Sequence, residues 1–198
     1  MNIHLPQWLS EADTRLLLAI NGANSATADS FWFWAANKWT WIPFYAILLL
    51  LLFRRFRKQT LLLLPLTAAM IACSDQLSSL MKATTERLRP CHDPSLQALI
   101  HTVNDRCGGM YGFVSSHAAN TMALAVFIVL ITNGRKAYLG AALCCYVVIN
   151  GYSRIYLGAH FPVDVVGGWM IGAIIGMIFS TFVLNILSRT DAYKTELK

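Results

Sequence analysis

Apolar residues in this chain gather in long runs parted by short polar stretches, and they do not alternate with polar ones. Runs of this length predict membrane-length helices and no strands. Five spans are read. The first covers 39–53, with Pro43 in its first turn and Arg54, Arg55, Arg57 and Lys58 stopping it. The second covers 60–81 and carries Asp75 and Gln76 inside. The third, 116–132, ends at Asn133-Gly134-Arg135-Lys136. The fourth covers 137–156, and the fifth, 162–187, stops before Arg189. Gly167, Gly168, Gly172 and Gly176 give the fifth a small-residue face suited to close helix packing. Two shorter segments come first. Residues 10–21 read as a helix capped by Ser10, with Asp13 at the third helical position and Gly22 ending it. It is too short to span and is expected to lie in the interface. Residues 25–36 hold Phe31, Trp32, Phe33 and Trp34. Trp8, Trp39 and Trp41 complete a cluster that marks one membrane surface as an aromatic belt.

Composition agrees with the pattern. Hydrophobic residues make up 56% and charged residues 13% of 198, where a soluble domain carries about 25% charged. The expected class is an all-α integral membrane bundle of about five transmembrane helices plus short N-terminal interfacial helices. One domain fills 1–198: an interfacial segment at 1–37, motifs at 82–164 and a polar tail at 189–198. The net charge of +6 is read as loops facing lipid, with no nucleic-acid partner. No basic region followed by an apolar core precedes Trp8, so no cleavable signal is expected. Arg54, Arg55, Arg57, Lys58, Arg135, Lys136 and Arg189 share one side of the membrane, which should be cytoplasmic. The N-terminal helices, the 83–115 loop and the 157–161 turn should then face the periplasm or the outside of an inner membrane. Within that loop Asp93-Pro94 is expected to start a short helix reaching 103.

Candidate chemistry concentrates on this second side. Lys82 and Arg89-Pro90 follow the second span. Ser115, Ser116 and His117 open the third, and Ser153, Arg154, His160 and Asp164 join the fourth to the fifth. Three cations beside two histidines suit a phosphoryl group, whose charge lies on oxygens that fixed cations stabilise. Helix N-termini at Ser116 and near Gly158 would add N–H donors. A helix starting near Gly158 would put His160 and Asp164 on one face, where the carboxylate orients the imidazole. No carboxylate nest at magnesium spacing and no His/Cys cluster at zinc spacing is read, so no metal or cofactor is expected. The expected course has His160 attack phosphorus to give a phosphohistidine, with His117 protonating the leaving oxygen and then activating water.

These residues resemble the type 2 phosphatidic acid phosphatase superfamily, membrane lipid phosphate phosphatases. Lys-x6-Arg-Pro and Ser-Arg-x5-His-x3-Asp match in full. Pro-Ser-Gly-His matches in part, with Val114 and Ser116 in place of Pro and Gly. The resemblance spans roughly 60–185. It implies Lys82, Arg89 and Arg154 on phosphate, His117 as acid and His160 as nucleophile; Ser115 and Ser116, which open the third span beside these cations, are expected to bind the phosphate as well. It also implies a lipid phosphate as substrate and the bilayer as partner. Undecaprenyl diphosphate is the expected substrate, with phosphatidylglycerophosphate or lipid A as alternatives. A bundle that holds or transports anionic lipid without hydrolysis is the competing class. It explains the cations but not the paired histidines and carboxylate.

Cys91 and Cys107 fall in the loop assigned to the oxidising side, where a disulfide is expected. Cys73, Cys144 and Cys145 fall in apolar spans and are expected to be buried. Asp75 is expected to be tied by structural hydrogen bonds.

Overall fold

The computed structural model describes residues 6–104, 107–134 and 137–189. Its seven α-helices are α1 (Gln7–Gly22), α2 (Ala26–Ala35), α3 (Ile42–Phe56), α4 (Thr60–Thr85), α5 (Ser116–Ile131), α6 (Ala137–Tyr156) and α7 (Pro162–Ser188). No strand forms among the described residues; a single antiparallel bridge joins Leu88 to Tyr111. Two segments, Lys38–Thr85 and Pro162–Leu187, hold stretches long and apolar enough to cross a membrane, and Ser116–Ile131 is apolar but shorter. The first of these is broken by the turn at Arg57, whose φ of 50° ends α3 before α4 begins.

The α5–α7 pair forms the spine. Gly168, Gly172 and Gly176 recur every fourth residue on one face of α7 and lie against the α5 backbone. A Cβ at Gly168 would sit 2.6 Å from Ser115 O, and one at Gly176 2.7 Å from Ala123 O. Only glycine permits this approach, which holds the first turns of both helices together. Phe127, Ile128, Ile131, Leu143, Val183 and Leu187 fill the core away from that end.

The site end is closed by the N-terminal helices. Asn21 on α1 donates to Tyr156 O at 2.7 Å and His101 O at 2.8 Å, and its Oδ1 accepts from His101 N at 2.8 Å. One side chain thus joins α1, the end of α6 and the long loop. On α2, Ser25 caps the helix by accepting from Ala28 N, and Trp32 packs on Tyr152 with ring centroids 4.5 Å apart.

Several expectations are corrected. Helix α1 begins at Gln7 behind Pro6, so Ser10 is inside the helix and caps nothing. Asp93-Pro94 starts only turns through Leu99, held by Asp93 itself, whose carboxylate accepts from Ser95 N at 2.9 Å. No helix starts at Gly158. Its φ of +65° is a left-handed turn, and α7 starts at Pro162. Cys73, Cys144 and Cys145 are exposed on the bundle's outer surface; in an apolar span, lipid and not core is what covers such a face. Arg135, Lys136, the first five residues and 190–198 of the tail lie outside the described residues.

Candidate active site

The turn between α6 and α7 shows why the Ser-Arg-x5-His-x3-Asp spacing is what it is. Arg154 O accepts from both Ala159 N (3.1 Å) and His160 N (3.2 Å), so the chain doubles back and returns His160 to the arginine's own level. Gly158 makes this reversal possible, since its left-handed φ strains any residue with a side chain. Three residues after Phe161, Asp164 turns its Oδ2 back to accept from Phe161 N at 3.0 Å, starting α7. His160 therefore stands before the helix and not on a shared helical face with Asp164.

His160 is 2% exposed and Asp164 fully buried. His160 Nδ1 lies 3.6 Å from Asp164 Oδ2, a charge-to-dipole approach too long for a hydrogen bond. Its Nε2 is 2.9 Å from Arg89 Nη1. Arginine has only donors, so Nε2 accepts, and the imidazole proton belongs on Nδ1, facing the carboxylate. Burial pushes the His160 pKa well below its ordinary value, and the cations of Arg89, Arg154 and Lys82 push it the same way. The neutral, nucleophilic form is the one this environment favours.

Arg89 comes in from the loop, between the Leu88–Tyr111 bridge and the Cys91–Cys107 pair. The structure pairs these two cysteines as a disulfide with Cα atoms 6.3 Å apart. Gly108, beside Cys107, lies against the guanidinium: a Cβ there would be 3.4 Å from Arg89 Cζ. Arg89 Nη1 also donates to Ala159 O at 3.1 Å. Lys82, at the end of α4, donates to Ser116 Oγ at 2.5 Å. His117 and Arg154 line a polar recess of about 510 Å³ with Gly108, Asn37 and Lys38, and Arg154 Nε is buried without a partner. Ser115 also serves as a cap. It is fully buried, its Oγ caps α5 by accepting from Ala118 N, and its own N–H goes to Asp164 O at 3.0 Å. Its backbone thus ties the start of α5 to the start of α7, its Oγ–H donor is not used by the cap, and Ser116 accepts from Lys82.

Two residues escaped the sequence reading. Arg87 sits inside the x6 of Lys-x6-Arg-Pro. Its Nη1 donates to Asp164 Oδ1 at 2.5 Å, its Nη2 to Asp13 Oδ2 at 2.6 Å, and its guanidinium lies 4.3 Å from the centre of the Phe161 ring. Asp13 also accepts from Val163 N at 2.9 Å. Burial raises the Asp13 pKa, and Arg87 opposes that rise. The sequence held no clear hint, since Asp13 stands among Ser10, Glu11, Thr14 and Arg15. The 74 residues separating the pair hide the bond.

Asp75 also departs from expectation: its side chain makes no hydrogen bond among the described residues and lines a second, larger cavity with Ser116 and His117.

A neutral, buried imidazole with a carboxylate on one side and the Arg89 guanidinium on the other, close to a recess that His117 and Arg154 line, is able to take and pass on a phosphoryl group. Comparison with known proteins gives the family. The model of the PAP2 superfamily matches residues 62–187. A lipid A 4'-phosphatase of Bacteroides thetaiotaomicron is 37% identical over 94% of this chain and 83% of its own length. One from Porphyromonas gingivalis is 33% identical over 92% and 78%. The crystal structure of a transmembrane PAP2 type phosphatidylglycerolphosphate phosphatase from Bacillus subtilis superposes with a TM-score of 0.70 at 20% identity, covering 91% of this chain and 89% of that one, a likeness of fold. This chain belongs to the PAP2 superfamily and is an enzyme of its lipid phosphatase type.

Proposed function

We propose that the protein removes a phosphate monoester from an acylated amino-sugar lipid of the lipid A kind, through a phosphohistidine on His160. The observation that supports the substrate is the match along nearly the whole chain to two relatives named for lipid A. Undecaprenyl diphosphate, the first expectation from sequence, gives way to this alternative for the same reason.

The residues divide the work as follows. Arg89, Arg154 and Lys82 bind the phosphate oxygens and take up the charge of the transition state. His160 Nε2 attacks phosphorus; the phosphorus–oxygen ester bond breaks, and His117 gives its proton to the leaving sugar oxygen. His117, now neutral, takes a proton from water as that water attacks phosphorus. The phosphorus–nitrogen bond breaks, inorganic phosphate leaves and His160 is restored. Asp164 faces the Nδ1 proton and stabilises the imidazole as it gains charge. Arg89 vacates Nε2 when its fork engages phosphate, freeing the lone pair only with substrate present.

The test is phosphate release from purified protein on lipid A, with His160→Ala as control. The wild type should release phosphate, and the variant should lose several orders of magnitude in kcat. A variant near wild-type rate removes His160 as the nucleophile; a wild type inert on lipid A but active on other lipid phosphates removes the substrate.

A further inference from the structure

A cavity of about 960 Å³ runs from the site into the bundle between α3, α4, α5 and α6, and its lining changes with depth. At the top lie Ser116 and His117, next to Lys82. Asp75 is seven residues before Lys82 on α4, hence on the same face and about 10 Å deeper. Asn120 is one turn below His117 on α5, and Asn150 one turn below Arg154 on α6. Below them the walls are apolar: Leu64 and Ala68 of α4, Leu124 and Ile128 of α5, Leu48 and Leu52 of α3. A phosphate level, a polar level and a hydrocarbon level thus follow one another.

Part of the polar level is already committed. Asn150 spends its Nδ2 on Tyr146 O at 2.9 Å, and Thr121 its hydroxyl on His117 O at 2.9 Å. The Asp75 carboxylate makes no hydrogen bond among the described residues. Asn120 Oδ1 is buried without a partner. Among the groups at this depth are an uncommitted carboxylate and an amide whose oxygen is buried without a partner, in a cavity whose deeper part is hydrocarbon. Such groups cost several kcal/mol if a ligand strips their water and returns nothing.

We propose that Asp75 and Asn120 form a second recognition level, accepting hydrogen bonds from a hydroxyl or amide N–H that the substrate carries just below its phosphate. The inference rests on the substrate reading above and deepens it. A lipid built on an N-acylated amino sugar with hydroxylated acyl chains presents such donors. A polyprenyl chain presents only hydrocarbon beneath its phosphate, so filling the cavity with it leaves both acceptors dry and unpaired. Sites built to hydrogen-bond a substrate group discriminate in this way against analogues lacking it. A bare counter-charge for Lys82 would instead act on every lipid phosphate alike.

Binding separates these roles. In the inactive His160→Ala protein in detergent, dissociation constants are measured for lipid A and for undecaprenyl phosphate, with and without Asp75→Ala. The expected result is at least tenfold weaker lipid A binding in the Asp75→Ala form, undecaprenyl phosphate within threefold, and recovery of most lipid A affinity by Asp75→Asn, which keeps an acceptor oxygen. Equal loss for both lipids, no loss for lipid A, or no lipid A binding at the outset overturns the inference. Turnover is scored separately: an unmutated enzyme that binds lipid A with the expected selectivity but releases no phosphate from it defeats the reading of function and leaves this one standing.

Discussion

Arg87 Nη1 donates to Asp164 Oδ1 at 2.5 Å, and through that contact the carboxylate behind His160 is tied to the N-terminal helix. The same guanidinium holds Asp13, and both carboxylates are buried, 3% exposed for Asp13 and none for Asp164. Removing Arg87 leaves two buried acids without the guanidinium that bridges them. Arg87→Met is expected to lower stability by about 3–5 kcal/mol, the usual cost of breaking a buried pair from one side. Arg87→Lys should recover part of it, because a single ammonium cannot bridge both acids with a planar fork. Thermal unfolding in detergent measures this; a shift in Tm of a degree or less for Arg87→Met would deny the bridge its role.

The pH dependence follows from the direction of the His160 shift. Attack needs the neutral imidazole. Its pKa is pushed below the ordinary value near 6.5 by burial and by Arg89, Arg154 and Lys82, so the neutral form persists as pH falls through that value. The acid limb of kcat/KM is expected below about pH 6.5. In Arg89→Met one cation is gone, the His160 pKa moves back up, and the acid limb should move to higher pH along with the loss in rate. Normalised pH–rate profiles of the two proteins decide it, and an acid limb that moves down or stays put in the variant contradicts the assignment.

Cys91 and Cys107, 16 positions apart with Cα atoms 6.3 Å apart, enclose the segment next to Arg89. Closing a loop of this length is worth about 3 kcal/mol in the chain-entropy model. Intact mass after alkylation, with and without reductant, should show two thiols gained on reduction, and reduction should lower Tm. Full alkylation of both residues in non-reducing buffer would mean they are not bonded.

The basic cluster of Arg54, Arg55, Arg57 and Lys58 lies at the α3–α4 turn, and Lys82, Ser116, Arg154 and Pro162 lie at the opposite ends of their helices. By the bias of basic residues toward the cytoplasm, we propose that the site faces the periplasm. A cysteine placed by Thr102→Cys should react with a membrane-impermeant maleimide in intact cells whose outer membrane is permeabilised. Reaction only after the inner membrane is opened would reverse the topology.

The boundaries of α4 to α7 were legible within a few residues, because apolar runs, basic stops and Pro162 are local signals whose meaning does not depend on what packs nearby. The site motifs were legible for a related reason. Lys82 ends a helix, Ser115 caps one, and Arg154 O receives the amides of Ala159 and His160, so each motif is a short backbone device as well as a chemical one. Where a competing local signal existed, the reading slipped. Gly158 read as the neighbourhood of a helix start, when a left-handed glycine ends α6 and Pro162 begins α7.

The sequence by itself determined an all-helical membrane chain with cations and histidines gathered at one end. Only the tertiary structure decided which groups meet there. Arg87 finds Asp13 across 74 positions and Asp164 across 77 because α1 folds over the start of α7. Asp75 finds no hydrogen-bonding partner among the described residues and faces a cavity, because the packing of α3 to α6 leaves space where a solid core would have hidden it. Residue types and spacings along one chain set what each helix is. Which side chains are paired, and which are left open for a substrate, depends on how helices distant in sequence pack, and no local pattern carries that information.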